Sequence, residues 1–203
     1  MASLTAAMGF ASHSGWAAMV VLGKSAAGLQ VLARSRVELI DGHDPESKQP
    51  YHAVEMVCVE EAMGRLDGYM AVAKSMAYQS IHAKREDLKV MGYRLKSAGI
   101  LESAARKPSS LGSILASHAA IHAADGNHFR NALAAAAEQD GLTVYRIQSR
   151  ALEGEAAAGL RRPVQKLRDA VAALSHQVGS PWGADQKQAA LLAWLILAHH
   201  EQA

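Results

Sequence analysis

Two stretches near the amino terminus, Trp16 to Gly23 (WAAMVVLG) and Leu29 to Ile40 (LQVLARSRVELI), decide the predicted fold. The first is an apolar run rich in Val and Met, and the second alternates apolar and polar residues, so both are typical of β-strands. The alternation puts Val31 and Ala33 on the same face of the second strand. Because the connection Lys24 to Gly28 is short and ends in Gly, the sequence predicts an antiparallel hairpin.

Helical and extended patterns alternate after this hairpin. Apolar residues recur at spacings of three and four from about Ala53 to Asp87, which predicts one long helix, or two helices broken near Gly64 or Gly68. The other predicted elements are a strand from Leu88 to Gly92 extending towards Leu95 or Ile100, a helix from Ser109 or Ser110 to Gly126, a helix from His128 to Gln139, a strand over Leu142 to Ile147, helical segments within Glu153 to Gln177 and a last helix from Ala184 to His200. Since strand–helix–strand units usually form right-handed parallel crossovers, we expect an α/β fold with a mixed sheet flanked by helices.

Composition limits the class of protein. The chain has 203 residues, of which 50% are hydrophobic and 5% aromatic, so we expect a single domain over residues 1–203 with one sizeable core. The single cysteine, Cys58, excludes an intramolecular disulfide, and the cytoplasm is the expected compartment. The apolar run Ala189 to Ala198 has about half the length of a membrane span, so we expect no membrane association.

Two segments at opposite ends of the chain carry a family resemblance. Gly9 to Val21 (GFASHSGWAAMVV) has a small-residue turn followed by a Gly-Trp step, and Ser180 to His200 (SPWGADQKQAALLAWLILAHH) has an acid near its start, Ala-rich turns and a terminal His. The first resembles the opening strand, and the second the last helix, of the ribonuclease H-like superfamily, and within it of the RuvC-type Holliday-junction resolvases. The order of predicted elements resembles this superfamily over most of the chain.

The resemblance implies a catalytic pattern from which this chain departs. Family members that cut nucleic acid hold two magnesium ions with carboxylates from the first strand, a middle strand and the last helix. Here Ser12 to Ser14 occupy the first position, Leu88 to Ile100 contains no acid, and only Asp185 fits the last helix. Glu102 or Glu38 could approach from a strand end. We therefore do not expect ordinary two-magnesium cleavage.

The polar run from Ser12 to Gly15 interrupts an apolar segment directly before a predicted strand. Such groups can line a sheet edge or a ligand crevice, and the alternative interpretation is a simple amino-terminal turn. If the domain is catalytic, Asp185 holds a metal, and His13 completes the metal shell or acts as a general acid or base. The candidate ligand-binding residues of the same site are Ser12, Ser14, Trp16 and Lys187.

His118 and His122 are the other candidate metal ligands, together with Asp185. A spacing of four on a helix puts both imidazoles on one face, within reach of a shared ion. The alternative is a pair of partly buried, hydrogen-bonded histidines, because a chain with 10 histidines produces such spacings by chance. A divalent metal of unknown identity is the candidate cofactor.

Two basic clusters are candidate phosphate contacts, although 21 basic and 19 acidic residues nearly balance overall. The first comprises Lys84, Arg85, Lys89, Arg94, Lys96, Arg106 and Lys107, and the second comprises Arg161, Arg162, Lys166 and Arg168. The alternative for both is solvated surface.

The leading hypothesis is a ribonuclease H-like domain that binds nucleic acid or a phosphorylated ligand at the carboxyl ends of its strands, near His13, His118 and Asp185. A divergent metal-dependent nuclease is its catalytic form. The alternative is a non-catalytic protein-interaction domain that keeps the fold without the active-site carboxylates. Apolar positions exposed on the last helix would make a homodimer the candidate assembly.

Overall fold

The structure, a computed structural model, describes residues 4–26, 28–103 and 110–200 and contains one mixed sheet. Its strands are β1 (Leu4–His13), β2 (Trp16–Ser25), β3 (Gly28–Glu38), β4 (Tyr93–Glu102) and β5 (Thr143–Gln148). They lie in the order β3-β2-β1-β4-β5. β1 and β3 are antiparallel to β2, whereas β4 and β5 run parallel to β1. Strands β1, β3, β4 and β5 therefore all end at one edge of the sheet, which we call the carboxyl edge.

The amino-terminal part of the sheet is a three-strand meander. The predicted hairpin is the pair β2 and β3. A further strand, β1, precedes it, and a two-residue turn at Ser14 and Gly15 joins β1 to β2. Gly15 adopts a φ of 82°, which a residue with a side chain rarely takes. The segment Gly9 to Val21 thus covers the end of β1, the turn and the first part of β2.

A β-bulge changes the predicted alternation of β3. The register with β2 shifts between Val21 and Leu22, so that Val21 pairs with Ala33 and Leu22 pairs with Val31. Val31 and Ala33 consequently pack on opposite faces of the sheet. The prediction that they share a face was wrong because the extra residue of a bulge inverts the faces that follow.

The helices of the structure are α1 (Pro50–Ala53), α2 (Val59–Val90), α3 (Leu111–Leu115), α4 (His118–Gln139), α5 (Leu152–Gly159), α6 (Val164–Ala173), α7 (Ser175–Val178) and α8 (Ala184–His199), with a 3-10 turn at Pro45–Lys48. α2 confirms the single long helix, with Gly64 and Gly68 inside it. It also includes Leu88, which is fully buried, so a strand starting there was wrong. Gly92, with a φ of 83°, follows the helix end, and β4 begins one residue later.

The predicted break at Gly126 is absent, and α4 runs through it from His118 to Gln139. The break falls instead between α3 and α4, where the side chain of Ser117 accepts a hydrogen bond from the backbone N–H of Ala120. Ser110 caps α3 in the same way, whereas Ser109 lies outside the described residues. The two serine caps satisfy backbone donors that glycine cannot, and they set where these helices begin.

The two faces of the sheet are covered differently. Helices α2 and α4 pack on one face against a core that includes Met8, Phe10 and Phe129. Helix α8, with α5 and α6, packs on the other face, and its central segment 189–198 is buried except for the half-buried Trp194. These apolar positions of α8 are covered within the chain, so they offer no surface to a second copy. A homodimer formed elsewhere stays a prediction.

Helices α2 and α4 continue past the carboxyl edge. On α4, Arg130 lies at the level of that edge, where its guanidinium contacts Ser103, the residue after β4. His122 lies two turns before Arg130, about 12 Å further along the axis at 1.5 Å per residue. A small core of Val54, Ala62 and Leu66 holds this extension together. We call the part formed by α1, α3 and the first turns of α2 and α4 the helical extension.

Within the described ranges, no helix combines the length and apolar character that crossing a bilayer requires.

Candidate functional site at the carboxyl edge

The first strand and the last helix meet at the carboxyl edge through two side chains. Nε2 of His13, the last residue of β1, lies 3.0 Å from Oδ2 of Asp185 in the first turn of α8. His13 exposes 43% of its side chain and Asp185 exposes 33%, so solvent and a ligand can reach both. The acidic side chain also suits its position, since the amino-terminal end of a helix dipole stabilises negative charge.

A stack of three side chains adjoins this pair. The imidazole of His13 lies parallel to the Trp16 ring, with 4.4 Å between centroids and 15° between planes. The Arg36 guanidinium covers Trp16, with its Cζ 3.9 Å from the ring centroid. Since His13 and Trp16 are paired across the β1–β2 turn and Trp16 pairs with Glu38 of β3, strand register holds this stack together. Glu38 itself forms an ion pair with Arg36 and is not directed to Asp185.

Glycines on the sheet fix how close α8 lies. A Cβ added to Gly9 of β1 would lie 2.1 Å from the carbonyl oxygen of Ala189, and one added to Gly99 of β4 would lie 2.6 Å from Leu192. These distances are shorter than any van der Waals contact, so the helix can approach the sheet only where side chains are missing. Backbone packing of α8 on β1 therefore sets the position of Asp185 relative to His13.

Lys187 lies two residues after Asp185 and lines a groove of about 680 Å³ between α8 and the end of β5. Ser149, Arg150 and Gln188 also line this groove. Lys187 and Arg150 are exposed, whereas Arg168 on its other wall is held by Glu153, with two N–O distances of 2.7 Å. The groove thus offers two cations to a ligand at the carboxyl edge.

The middle strand contributes one acid, Glu102, at the end of β4. Its carboxylate forms an ion pair with Arg146 of β5 and is buried. Arg130 lies near it as well, and the pKa of Arg130 is lowered by burial and raised in part by the charge of Glu102. Two guanidinium groups therefore compete with any metal ion for this carboxylate.

These residues do not fit a two-magnesium centre. Magnesium needs several oxygen ligands in octahedral geometry, and two ions need carboxylates that both can share. β1 offers half-buried Ser12 and His13 in place of an acid, Glu102 is neutralised by Arg146, and Asp185 is paired with His13. Ser14, the remaining polar residue of the run, lies in the turn between β1 and β2.

Four residues of the first basic cluster lie away from this site. Arg85, Lys89, Arg94 and Lys96 line a single cavity with Thr143, the first residue of β5, so they surround the amino ends of β4 and β5. Arg161 and Arg162 line another cavity with Gly28, the first residue of β3. Both places are opposite to the carboxyl edge. Arg106 and Lys107 lie outside the described residues.

The structure brings His118 and His122 together, with 3.0 Å between their Nε2 atoms. Their third neighbour is His52 of α1 rather than Asp185, and ligand nitrogens of the three histidines lie within 4.8 Å of one another. His52 was missed because 66 residues separate it from His118, and no spacing rule connects a loop to a helix over that distance. The local sequence around it, Asp44 to His52 (DPESKQPYH), with two prolines and an aromatic residue, is typical of a loop that carries binding residues.

Two solved structures of RuvC share the fold of this chain. RuvC of Thermus thermophilus matches 97% of this chain and 96% of its own, with a TM-score of 0.54 and 11% identity. The match to T. thermophilus RuvC in complex with a Holliday junction substrate covers 98% of this chain and 96% of the RuvC chain, with a TM-score of 0.54 and 12% identity. The match to the yeast mitochondrial Holliday junction resolvase covers 96% of this chain and 80% of the resolvase chain, with a TM-score of 0.48 and 15% identity.

No protein-family model and no curated protein matches the sequence. The structural likeness confirms the predicted ribonuclease H-like α/β fold. Since one fold hosts many activities, function has to be argued from the site.

Proposed function

We propose that this chain is a nucleic-acid-binding domain of the ribonuclease H-like fold that contacts its ligand at the carboxyl edge and does not cleave it by a two-magnesium mechanism. The observation that carries the proposal is the 3.0 Å contact between His13 and Asp185, which unites the first strand and the last helix at this edge. The RuvC with the same arrangement of elements was solved with a Holliday junction substrate, which makes branched DNA the first ligand to test.

The chemistry of the edge supports a nucleic acid over an uncharged ligand. His13 and Arg36 cover the two faces of the Trp16 ring, so the planar groups open to a base are the half-exposed His13 imidazole and Arg36 guanidinium, on which single-stranded bases can stack. Lys187 and Arg150 are exposed in the groove at the same edge and can contact phosphates. In this proposal His13 and Asp185 are a binding pair, with Asp185 holding the imidazole in place by accepting its Nε2 hydrogen.

Binding is tested by fluorescence anisotropy with a labelled four-way junction, a duplex and a single strand over a range of salt concentrations. We expect Lys187→Ala to weaken binding to every nucleic acid and to reduce the slope of log affinity against log salt by about 1, the effect of losing one phosphate contact. Lys89→Ala is the matched control, because Lys89 is an exposed lysine at the opposite edge. It should leave both quantities unchanged.

Equal effects of the two lysine substitutions would overturn the placement of the binding site. A wild-type protein that binds none of the three nucleic acids would overturn the function and favour the non-catalytic protein-interaction domain.

Cleavage is tested separately with the same junction in Mg²⁺ and in Mn²⁺. We expect no product, because Glu102 is bound to Arg146 and β1 supplies no carboxylate. Asp185→Asn is the control for any product that forms. Cleavage that disappears in Asp185→Asn would contradict the proposal and restore the divergent nuclease, with Asp185 as a metal ligand.

A further inference from the structure

We propose that His52, His118 and His122 bind one divalent transition-metal ion of the zinc class, and that Asp125 orients His52 for this role. The site lies in the helical extension, on the face of the sheet opposite to α8. It is independent of the proposed nucleic-acid binding and involves none of the residues at the carboxyl edge.

The three imidazoles are close to the spacing that one ion imposes. Zinc binds histidine nitrogens at about 2.0–2.1 Å in tetrahedral geometry, which puts two ligand nitrogens about 3.3 Å apart. The Nε2 atoms of His118 and His122 are 3.0 Å apart, and ligand nitrogens of all three residues lie within 4.8 Å of one another. A small rotation of His52 would bring it into the first coordination sphere.

The rings are also arranged around a common point. The ring centroids of His118 and His122 are 4.4 Å apart, and His52 lies 4.5 Å from His122 and 5.4 Å from His118. The planes cross at 78°, 57° and 89°, so the rings are not stacked as hydrophobic partners. Within this group the Nε2 atoms of His118 and His122 approach each other to 3.0 Å.

Asp125 holds His52 in an orientation suited to metal binding. Its side chain is buried, Oδ1 accepts the backbone N–H of Tyr51 at 2.7 Å, and Oδ2 lies 2.6 Å from Nδ1 of His52. With Nδ1 donating to the carboxylate, Nε2 of His52 carries the lone pair that a metal needs. A carboxylate behind a histidine is the usual outer partner of a zinc ligand, because it fixes the tautomer and raises the basicity of the ring.

The donor atoms of the site determine which metals it prefers. Three imidazoles without a carboxylate in contact with the ion favour Zn²⁺, Cu²⁺ or Ni²⁺ over Mg²⁺ and Ca²⁺, which prefer oxygen. His118 and His122 are exposed, so a fourth position would be open to water or to a ligand oxygen. The ion would also join α1 to the start of α4 beside the small core of Val54, Ala62 and Leu66.

The test is titration of the untagged full chain, freed of metal with a chelator, with Zn²⁺ by calorimetry and with Co²⁺ by visible absorption. We expect one ion per chain and the intense visible bands of tetrahedral cobalt. His122→Ala should weaken zinc binding at least 100-fold, since it removes one of three ligands. Asp125→Asn should weaken it about 10- to 100-fold while keeping the one-to-one stoichiometry, the effect of losing an outer partner.

His176→Ala is the matched control, because His176 is an exposed helical histidine outside the cluster. It should bind zinc as the wild type does. Circular dichroism in chelator checks that each variant is folded, and His118→Ala, at an exposed position, replaces any variant that is not. Equal affinities of His122→Ala and wild type, or no stoichiometric binding by wild type, would overturn the site.

Discussion

The two faces of the sheet are built on different principles. On the α8 face, Gly9 and Gly99 remove side chains so that a helix rich in Ala approaches the strands at backbone distance. On the α2 and α4 face, large side chains such as Phe10 and Phe129 fill a wider space. The first face therefore holds Asp185 rigidly against His13, whereas the second carries long helices that project past the sheet and can hold a separate histidine cluster.

The two candidate sites are held in place by different parts of the packing. The position of Asp185 depends on the close contact of one helix with the sheet. The cluster of His52, His118 and His122 depends on a small satellite core that is remote from that contact. Truncation of a large side chain should destabilise the α2 and α4 face, and a methyl group added to a sheet glycine should destabilise the α8 face.

Phe129→Ala should have the largest effect. Phe129 is fully buried on α4, and its truncation leaves a cavity, so we expect a loss of about 4 kcal/mol in the free energy of unfolding. Urea denaturation measures it. Ile81→Val, which removes one methylene from the same face, is the control with an expected loss of about 1 kcal/mol. Equal losses for the two variants would mean that this face relaxes and is not tightly packed.

Gly9→Ala should be next, and it tests the opposite face. The added methyl would meet the carbonyl oxygen of Ala189 at 2.1 Å, so α8 must shift, and we expect a loss of about 3 kcal/mol. The shift should also separate Asp185 from His13 and weaken nucleic-acid binding in the anisotropy assay. A variant with wild-type stability would show that α8 is not in backbone contact with β1.

His128, on the α2 and α4 face, should make the free energy of unfolding depend on pH. Burial lowers the pKa of this imidazole below its ordinary value of 6.5, so the folded state favours the neutral ring. The stability that depends on the neutral His128 is fully present above about pH 6.5. As the pH falls towards the lower folded pKa, the free energy of unfolding decreases by up to about 1.4 kcal/mol per pH unit.

Urea midpoints at pH 7.5 and 5.5, in chelator, measure this loss, and His128→Leu should reduce it. Some loss should remain, because burial also lowers the pKa of His200. A variant with the same pH dependence as wild type would exclude His128 as its source.

Gly64→Ala should have the smallest effect, with the opposite sign. Gly64 lies within α2, and nothing stands within 4 Å of an added Cβ. Alanine is the better helix former by about 0.8–1.0 kcal/mol, so the variant should gain about 1 kcal/mol of stability. Thermal unfolding of this variant beside Gly9→Ala compares an exposed helical glycine with a buried strand glycine. A loss of stability would contradict an exposed helical environment.

Sequence periodicity predicted the elements whose pattern is strong and local. The pair β2 and β3, strand β5 and helix α8 follow from alternation, β-branched content and an apolar helix between caps. Periodicity did not predict β1, because Leu4 to His13 is buried on both faces and its apolar and polar residues do not alternate. Only the resemblance over Gly9 to Val21 indicated a strand there. Residues 88–90 are β-like in composition but form the last turn of α2, where Leu88 is buried and Val90 is exposed.

The candidate sites divide in the same way. Neighbours along the chain were enough to predict that a polar run precedes the strand beginning at Trp16, that an acid opens the last helix and that His118 and His122 share a helix face. The family resemblance had suggested one site for Asp185 and His13, whereas their 3.0 Å contact and the place of His52 in the histidine cluster come from the folded chain. The folded chain also places Arg85, Lys89, Arg94 and Lys96 of the first basic cluster at the opposite edge. The reason is physical: strand order and helix packing determine distances between remote residues, and these depend on the whole core rather than on any local pattern.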